Sequence, residues 1–129
     1  HRYGDTLEEQ RRFYMSKCGL MAYTGTNDGR VISKRIAEGD KGAELAYRGM
    51  AYQIAKEIGA MSVVLGGKAD AILLTGGLAY DKQLMGWIEE QVAHIAPVHV
   101  YPGEDEMLAL AMSALRVLRG QEDILEYHS

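Results

Sequence analysis

Tyr47, Ala51, Ile54, Ile58, Met61 and Leu65 follow one another at alternating steps of four and three, the spacing that aligns apolar side chains along one side of an α-helix. Asp40 stands ahead of the stripe as a capping residue and Gly66-Gly67 ends it, so the pattern predicts one long helix between them. Asp70 to Thr75 follows as a continuous apolar run, the signature of a strand covered on both faces. Asp81 then caps a helix carrying Leu84, Ile88, Val92 and Ile95 on one side, and Pro97 stops it. Val98 to Tyr101 reads as a second short strand. Glu104 to Arg119 reads as a helix with Met107, Ala111, Ala114 or Leu115, and Leu118 facing inward.

Upstream, Thr6 followed by Glu9 has the spacing of a capping box and starts a polar helix through about Ser16. Gly19 to Tyr23 is short and apolar. Thr24 to Arg30 is a polar loop rich in hydrogen-bonding groups, leading to a short helix near Val31 to Glu38. From the long helix onward the order reads α-β-α-β-α, which places the chain in the α/β class. A strand, a helix and a strand with short connections imply a right-handed crossover joining parallel neighbours. The Gly76-Gly77 corner and the Pro102-Gly103-Glu104 turn then lie side by side at the carboxyl edge of the sheet, where open α/β sheets bind ligands.

Composition narrows the choice only a little. The 129 residues fit one domain, and 47% hydrophobic with 25% charged residues is an ordinary globular balance. A formal net charge of -4 argues against nucleic acid or a membrane surface as partner and leaves a small molecule favoured. Cys18 is the single cysteine, so an internal disulfide and a cysteine-rich metal site are excluded and a reducing, cytoplasmic setting fits best. No apolar run approaches the roughly 20 residues needed to cross a bilayer. The chain opens His1-Arg2-Tyr3 without Met, which reads as a cut inside a longer protein.

Several short stretches carry candidate chemistry. Gly76-Gly-Leu-Ala-Tyr-Asp81 departs from the Gly-x-Gly-x-x-Gly of dinucleotide binders, and Gly67-Lys68-Ala69 lacks the hydroxyl of a Walker loop. What remains is a Thr-Gly-Gly strand-to-helix turn, either structural or small enough for its backbone to approach a sugar, base or phosphate. Asp28 can accept hydrogen bonds from hydroxyls while Arg30 stacks on a base or pairs with phosphate; a solvated turn with a local ion pair is the alternative. Glu104, Asp105 and Glu106 complement a helix macrodipole and also suit a hydrated Mg²⁺. His94 and His99 lack a third ligand, and Cys18 lacks a base. No Ser-His-Asp arrangement stands out.

Taken together, Ala22-Tyr-Thr-Gly-Thr-Asn-Asp28, Gly39-Asp-Lys, Ala51-Tyr-Gln-Ile-Ala-Lys-Glu-Ile-Gly59, Leu74-Thr-Gly-Gly-Leu-Ala-Tyr80 and Val100-Tyr-Pro-Gly-Glu-Asp-Glu-Met107 resemble, in order and spacing, the carboxyl-terminal part of butyrate kinases. These belong with the acetate kinases. The resemblance implies a ribonuclease-H-like fold of the acetate and sugar kinase and actin superfamily, with residues 1–129 forming a single partial domain. It implies reversible phosphoryl transfer between ATP and a short-chain carboxylic acid such as butyrate, giving an acyl phosphate and ADP.

By the same resemblance the nucleotide contacts fall on Asn27, Asp28 and Arg30 and on Gly76, Gly77, Leu78, Ala79 and Asp81, and magnesium falls to Asp105 with Glu104. Gly29 stands where acetate kinases carry an aromatic, Ala79 replaces a glycine and Tyr80-Asp81 replaces Glu-Asn. The catalytic residues and the acid pocket are expected upstream of this chain, which alone is expected to be inactive. The rival reading, from a different class, is a non-catalytic packing or dimerisation module with the Tyr47 to Leu65 stripe as its working face. A homo-oligomer fits either reading.

Overall fold

The computed structural model describes residues 6–103 and 106–123. Helix α1, Leu7–Lys17, starts at the expected capping box: Glu9 N–H donates to Thr6 Oγ1 at 3.2 Å and Thr6 N–H to Glu9 Oε2 at 3.0 Å. A short helix α2, Leu20–Thr24, occupies the apolar stretch to which the sequence pattern gave no element. It is bracketed by Gly19 and Gly25, both at positive φ, and is too short to show a periodicity.

Helix α3, Gly29–Ala37, begins two residues before the expected Val31 because Asp28 caps it, its carboxylate accepting from Arg30 N–H at 2.9 Å. Helix α4, Lys41–Val64, has the predicted cap, Asp40, accepting from Ala43 N–H at 2.9 Å. It ends where expected, with Gly66 N–H bonded to Val63 O and Gly67 N–H to Ser62 O. Those paired bonds, made by two glycines at positive φ, form a Schellman closure.

The two strands, β1 at Ile72–Gly76 and β2 at Val98–Pro102, pair in parallel with Ile72 opposite Val98 and Gly76 opposite Pro102. Between them run a 3-10 turn, Gly77–Tyr80, and helix α5, Lys82–Val92, capped as expected by Asp81. This is the crossover that the order of elements required. Gly76 and Gly103 exchange two backbone hydrogen bonds, so the two turns do lie side by side at the carboxyl edge.

The core sits between α4 and α5, where Tyr47 and Ala51 meet Leu84, Ile88 and Val92, with Ile32 from α3 closing one end. Three expectations about burial change. The first half of the α4 stripe is buried, but Met61 and Leu65 are exposed on an open apolar groove. Strand β1 is covered on one face only: Ile72 lies in the core beside α4 and α5 residues, and Leu73, pointing the other way, is 63% exposed. Helix α6, Glu106–Leu118, carries the predicted apolar stripe, yet Met107, Ala111, Ala114 and Leu118 are exposed and Leu115 is half-buried. The periodicity is present, and among the described residues little packs against it.

Candidate functional site

The polar loop leading into α3 spends most of its hydrogen-bonding groups on its own shape. Thr24 Oγ1 donates within reach of Leu20 O and Thr26 O and accepts from Thr26 N–H, and Thr26 Oγ1 accepts from Asp28 N–H at 3.1 Å. Arg35 locks the loop to the next helix: Nη1 donates to Thr24 O at 2.6 Å while Nε and Nη2 both donate to Asp40 Oδ2. Asp28 is thereby fixed at the head of α3, and it holds Arg30 with two bonds, Nε to Oδ1 at 3.1 Å and Nη2 to Oδ2 at 2.7 Å. These bonds, first the side-chain pair and then Arg30 N–H, lower the Asp28 carboxyl from its ordinary 3.8 to about 2 and raise the Arg30 guanidinium. Arg30 stays charged and 91% exposed at its side chain.

Facing this wall is the Thr-Gly-Gly corner. Gly76 takes the positive φ that the turn requires, 91°, whereas Gly77 lies inside the 3-10 turn without one. The missing side chain at Gly77 is therefore not demanded by its backbone conformation. A cleft of about 830 Å³ opens between the two walls, lined on one side by Asn27, Asp28, Gly29, Arg30 and Ser33 and on the other by Gly77, Leu78, Tyr80, Asp81, Lys82 and Gln83. Asn27, Asp28, Arg30, Gly77, Leu78 and Asp81 thus line one cleft. Gly76 and Ala79 do not line the cleft. Gly76 is tied to Gly103, and Ala79 is buried in the core.

Asp81 answers whether the start of α5 is free to hold an anion. Its Oδ1 accepts from Gln83 N–H at 3.0 Å and Leu84 N–H at 3.1 Å, so the helix N-terminus already carries a carboxylate. Its Oδ2 accepts from the hydroxyls of Ser33 and Tyr47. Four donors hold the group in place. Tyr47 is wholly buried, and desolvation, followed by the Asp81 charge, pushes its phenol well above the ordinary value; it remains a donor.

Sequence reasoning missed Ser33, Tyr80, Lys82 and Gln83 on the cleft and the hydroxyl role of Tyr47. One signal was available: a tyrosine on a core stripe must find a partner for its hydroxyl. Nothing in the chain ties Ser33 to Asp81, 48 residues away. Among the described residues no group of three His, Cys, Asp or Glu side chains is placed to hold a metal ion. Glu104 and Asp105 lie outside the described residues, as does the side chain of Glu106. Among the described residues no helix is long and apolar enough to cross a membrane.

An α/β unit with a parallel strand pair, whose first strand runs into the turn that forms one wall of a cleft, defines the class. Within it, residues 1–106 match the acetokinase family, and the chain belongs to that family. This agrees with the ribonuclease-H-like reading of the fold. The chain is 56% identical over 117 residues to the probable butyrate kinase 2 of Caldanaerobacter subterraneus subsp. tengcongensis, covering 91% of this chain and 33% of that protein. It is 48% identical over 122 residues to butyrate kinase 2 of Clostridium acetobutylicum, covering 95% of this chain and 34% of that protein. With the probable butyrate kinase of Coprothermobacter proteolyticus it shares 51% identity over 113 residues, 88% of this chain and 32% of that protein. The chain spans about a third of the length of these curated relatives.

Proposed function

We propose that the chain is the nucleotide-side, carboxyl-terminal part of a butyrate kinase-like enzyme, an ATP-dependent carboxylate kinase of the cytoplasm. In the reaction an oxygen of a short-chain carboxylate attacks the γ-phosphorus of ATP, the bond from that phosphorus to the β,γ-bridging oxygen breaks, and ADP leaves. The observation that carries this reading is the convergence of Asn27, Asp28 and Arg30 with Gly77 and Leu78 on one cleft, from segments far apart in an acetokinase-family chain. The fixed guanidinium of Arg30 suits the face of a base or a phosphate oxygen. The side-chain-free wall at Gly77 admits close approach of the ligand.

Mg²⁺ is assigned to Asp105 and Glu104, with charge neutralisation of the phosphates as the chemistry it supplies. The acid pocket and the catalytic groups belong to other parts of the enzyme. MgATP titration of the full-length enzyme and its Arg30→Ala variant, followed by calorimetry, tests the reading. We expect the variant to bind at least about tenfold more weakly, the loss of a charged contact. Equal affinities would overturn it.

One observation favours a second role for the same chain. An apolar groove of about 510 Å³, lined by Ile54, Ile58, Met61, Leu65, Ile72 and Ile95, runs along the second half of the α4 stripe. It supports a packing or dimerisation face. Such a module without nucleotide contacts predicts no thermal stabilisation by ATP, which separates it from the kinase reading.

A further inference from the structure

The two walls of the cleft are not joined by backbone. The first belongs to the loop and start of α3, the second to the turn after β1 and the start of α5; one side-chain hydrogen bond crosses between them and a second ties the second wall to α4. Ser33, on α3, donates its hydroxyl to Asp81 Oδ2, and Tyr47, on α4, donates to the same oxygen at 3.1 Å. Asp81 cannot shift to follow them, because its other oxygen is fixed by the N–H groups of Gln83 and Leu84. Tyr47 is equally immobile: its ring is fully buried and packs edge-to-face on Trp87 at 6.3 Å between centroids. Its hydroxyl also abuts the head of α3, since a Cβ built at Gly29 would lie 2.8 Å from it and 2.8 Å from Leu78 Cδ2. One buried phenol thus touches both walls.

We propose that Ser33 and Tyr47 are positioning residues of the nucleotide cleft: their hydroxyls, converging on Asp81, set the spacing between the Arg30 wall and the Gly77 wall at which a nucleotide fits. This rests on the kinase reading given above. Tyr47 lies beneath the cleft and acts through Asp81 and Gly29, whereas Ser33 stands on the cleft lining and acts through the bond that it donates to Asp81. The consequence is selective for nucleotide affinity, because the acid pocket and the groups that act on the moving phosphoryl lie elsewhere.

The test uses the full-length enzyme with Tyr47→Phe, Ser33→Ala and Ser33→Thr, reading KM for MgATP, KM for butyrate and kcat. A hydrogen bond worth about 0.5–1.5 kcal/mol converts to roughly a two- to twelvefold effect. We expect Tyr47→Phe and Ser33→Ala each to raise the ATP KM by about that factor, with butyrate KM and kcat within about twofold of the parent. Ser33→Thr, which keeps the hydroxyl, should restore the ATP KM. A lowered melting temperature with an unchanged ATP KM would overturn the inference, as would a fall in kcat alone. If Tyr47→Phe does not fold, the two Ser33 variants decide, because Ser33 is half-exposed and α3 accommodates alanine. Arg30→Ala and Gly77→Val serve as controls on the site itself. If they raise the ATP KM while the hydroxyl variants do not, positioning alone fails; if they too are silent, the cleft is not the nucleotide site.

Discussion

Gly29 shows how a single residue can be fixed by its neighbours and not by its own backbone. It sits in the first turn of α3 at an ordinary helical conformation, yet a Cβ there would meet a buried tyrosine hydroxyl and a leucine methyl at 2.8 Å each. Gly29→Ala gains helix preference worth at most about 1 kcal/mol, against an overpacking cost of about 1–3 kcal/mol. We expect net destabilisation, read as a lower melting temperature, together with a raised ATP KM as the Tyr47 hydroxyl is displaced. A melting temperature at or above that of the parent would show that the contact yields freely. Gly77 is the opposite case. Its conformation does not need glycine, so Gly77→Val should leave the melting temperature within a few degrees of the parent while raising the ATP KM by steric exclusion. A well-folded Gly77→Val enzyme with the parental KM would remove Gly77 from the binding wall.

At the scale of elements, α3 is a helix whose cap doubles as half of an ion pair. Asp28 is held near 2, below its ordinary 3.8, chiefly by the Arg30 side chain and then by Arg30 N–H. The sign follows from linkage: a depressed carboxyl stabilises the fold above about pH 4, and that contribution is lost as the pH falls through about 2. Both partners meet solvent, so salt should weaken the effect. In a carboxyl-carbon NMR titration Arg30→Gln should move the Asp28 midpoint up toward 3.8, and a midpoint that stays near 2 would show that the backbone cap alone depresses it. Helix α6 poses a different question, because its stripe of Met107, Ala111, Ala114 and Leu118 is regular in sequence and exposed in the fold. An amphipathic period reports that a helix has a face to bury. It does not say which surface buries it.

At the scale of the whole molecule, phosphoryl transfer needs groups that converge on the phosphorus from both sides of a closed cleft. On the proposed kinase reading this chain supplies only the two walls around Arg30 and Gly77. We therefore expect the isolated chain to bind ATP or ADP weakly, on the order of millimolar, and to show no butyrate-dependent ADP release. A coupled ADP-release assay on purified chain beside the full-length enzyme checks both. Turnover within a hundredfold of the full-length rate would place the chemical groups among these 129 residues and refute that division.

Much of this was legible before any coordinates. The caps Thr6, Asp40 and Asp81, the stop at Gly66-Gly67 and the parallel pair of strands followed from short-range chemistry: a side chain bonding a nearby N–H, glycines taking a positive φ, and a crossover with one permitted hand. The same local rules put the Gly76-Gly77 corner beside the Gly103 turn at one edge of the sheet, whereas Asn27, Asp28 and Arg30 were joined to that corner only by the family resemblance. The tertiary structure alone decided three things. It tied the Asp81 carboxylate to protein donors, among them hydroxyls 34 and 48 residues away. It moved Gly76 and Ala79 off the cleft, one to the Gly103 bridge and one to the core. It left Leu73, Met61 and the α6 stripe exposed. The reason is one of range: caps and turns are settled within a few residues of chain, whereas the partner of a buried hydroxyl or the cover over an apolar face depends on which distant segments the packed core brings within reach.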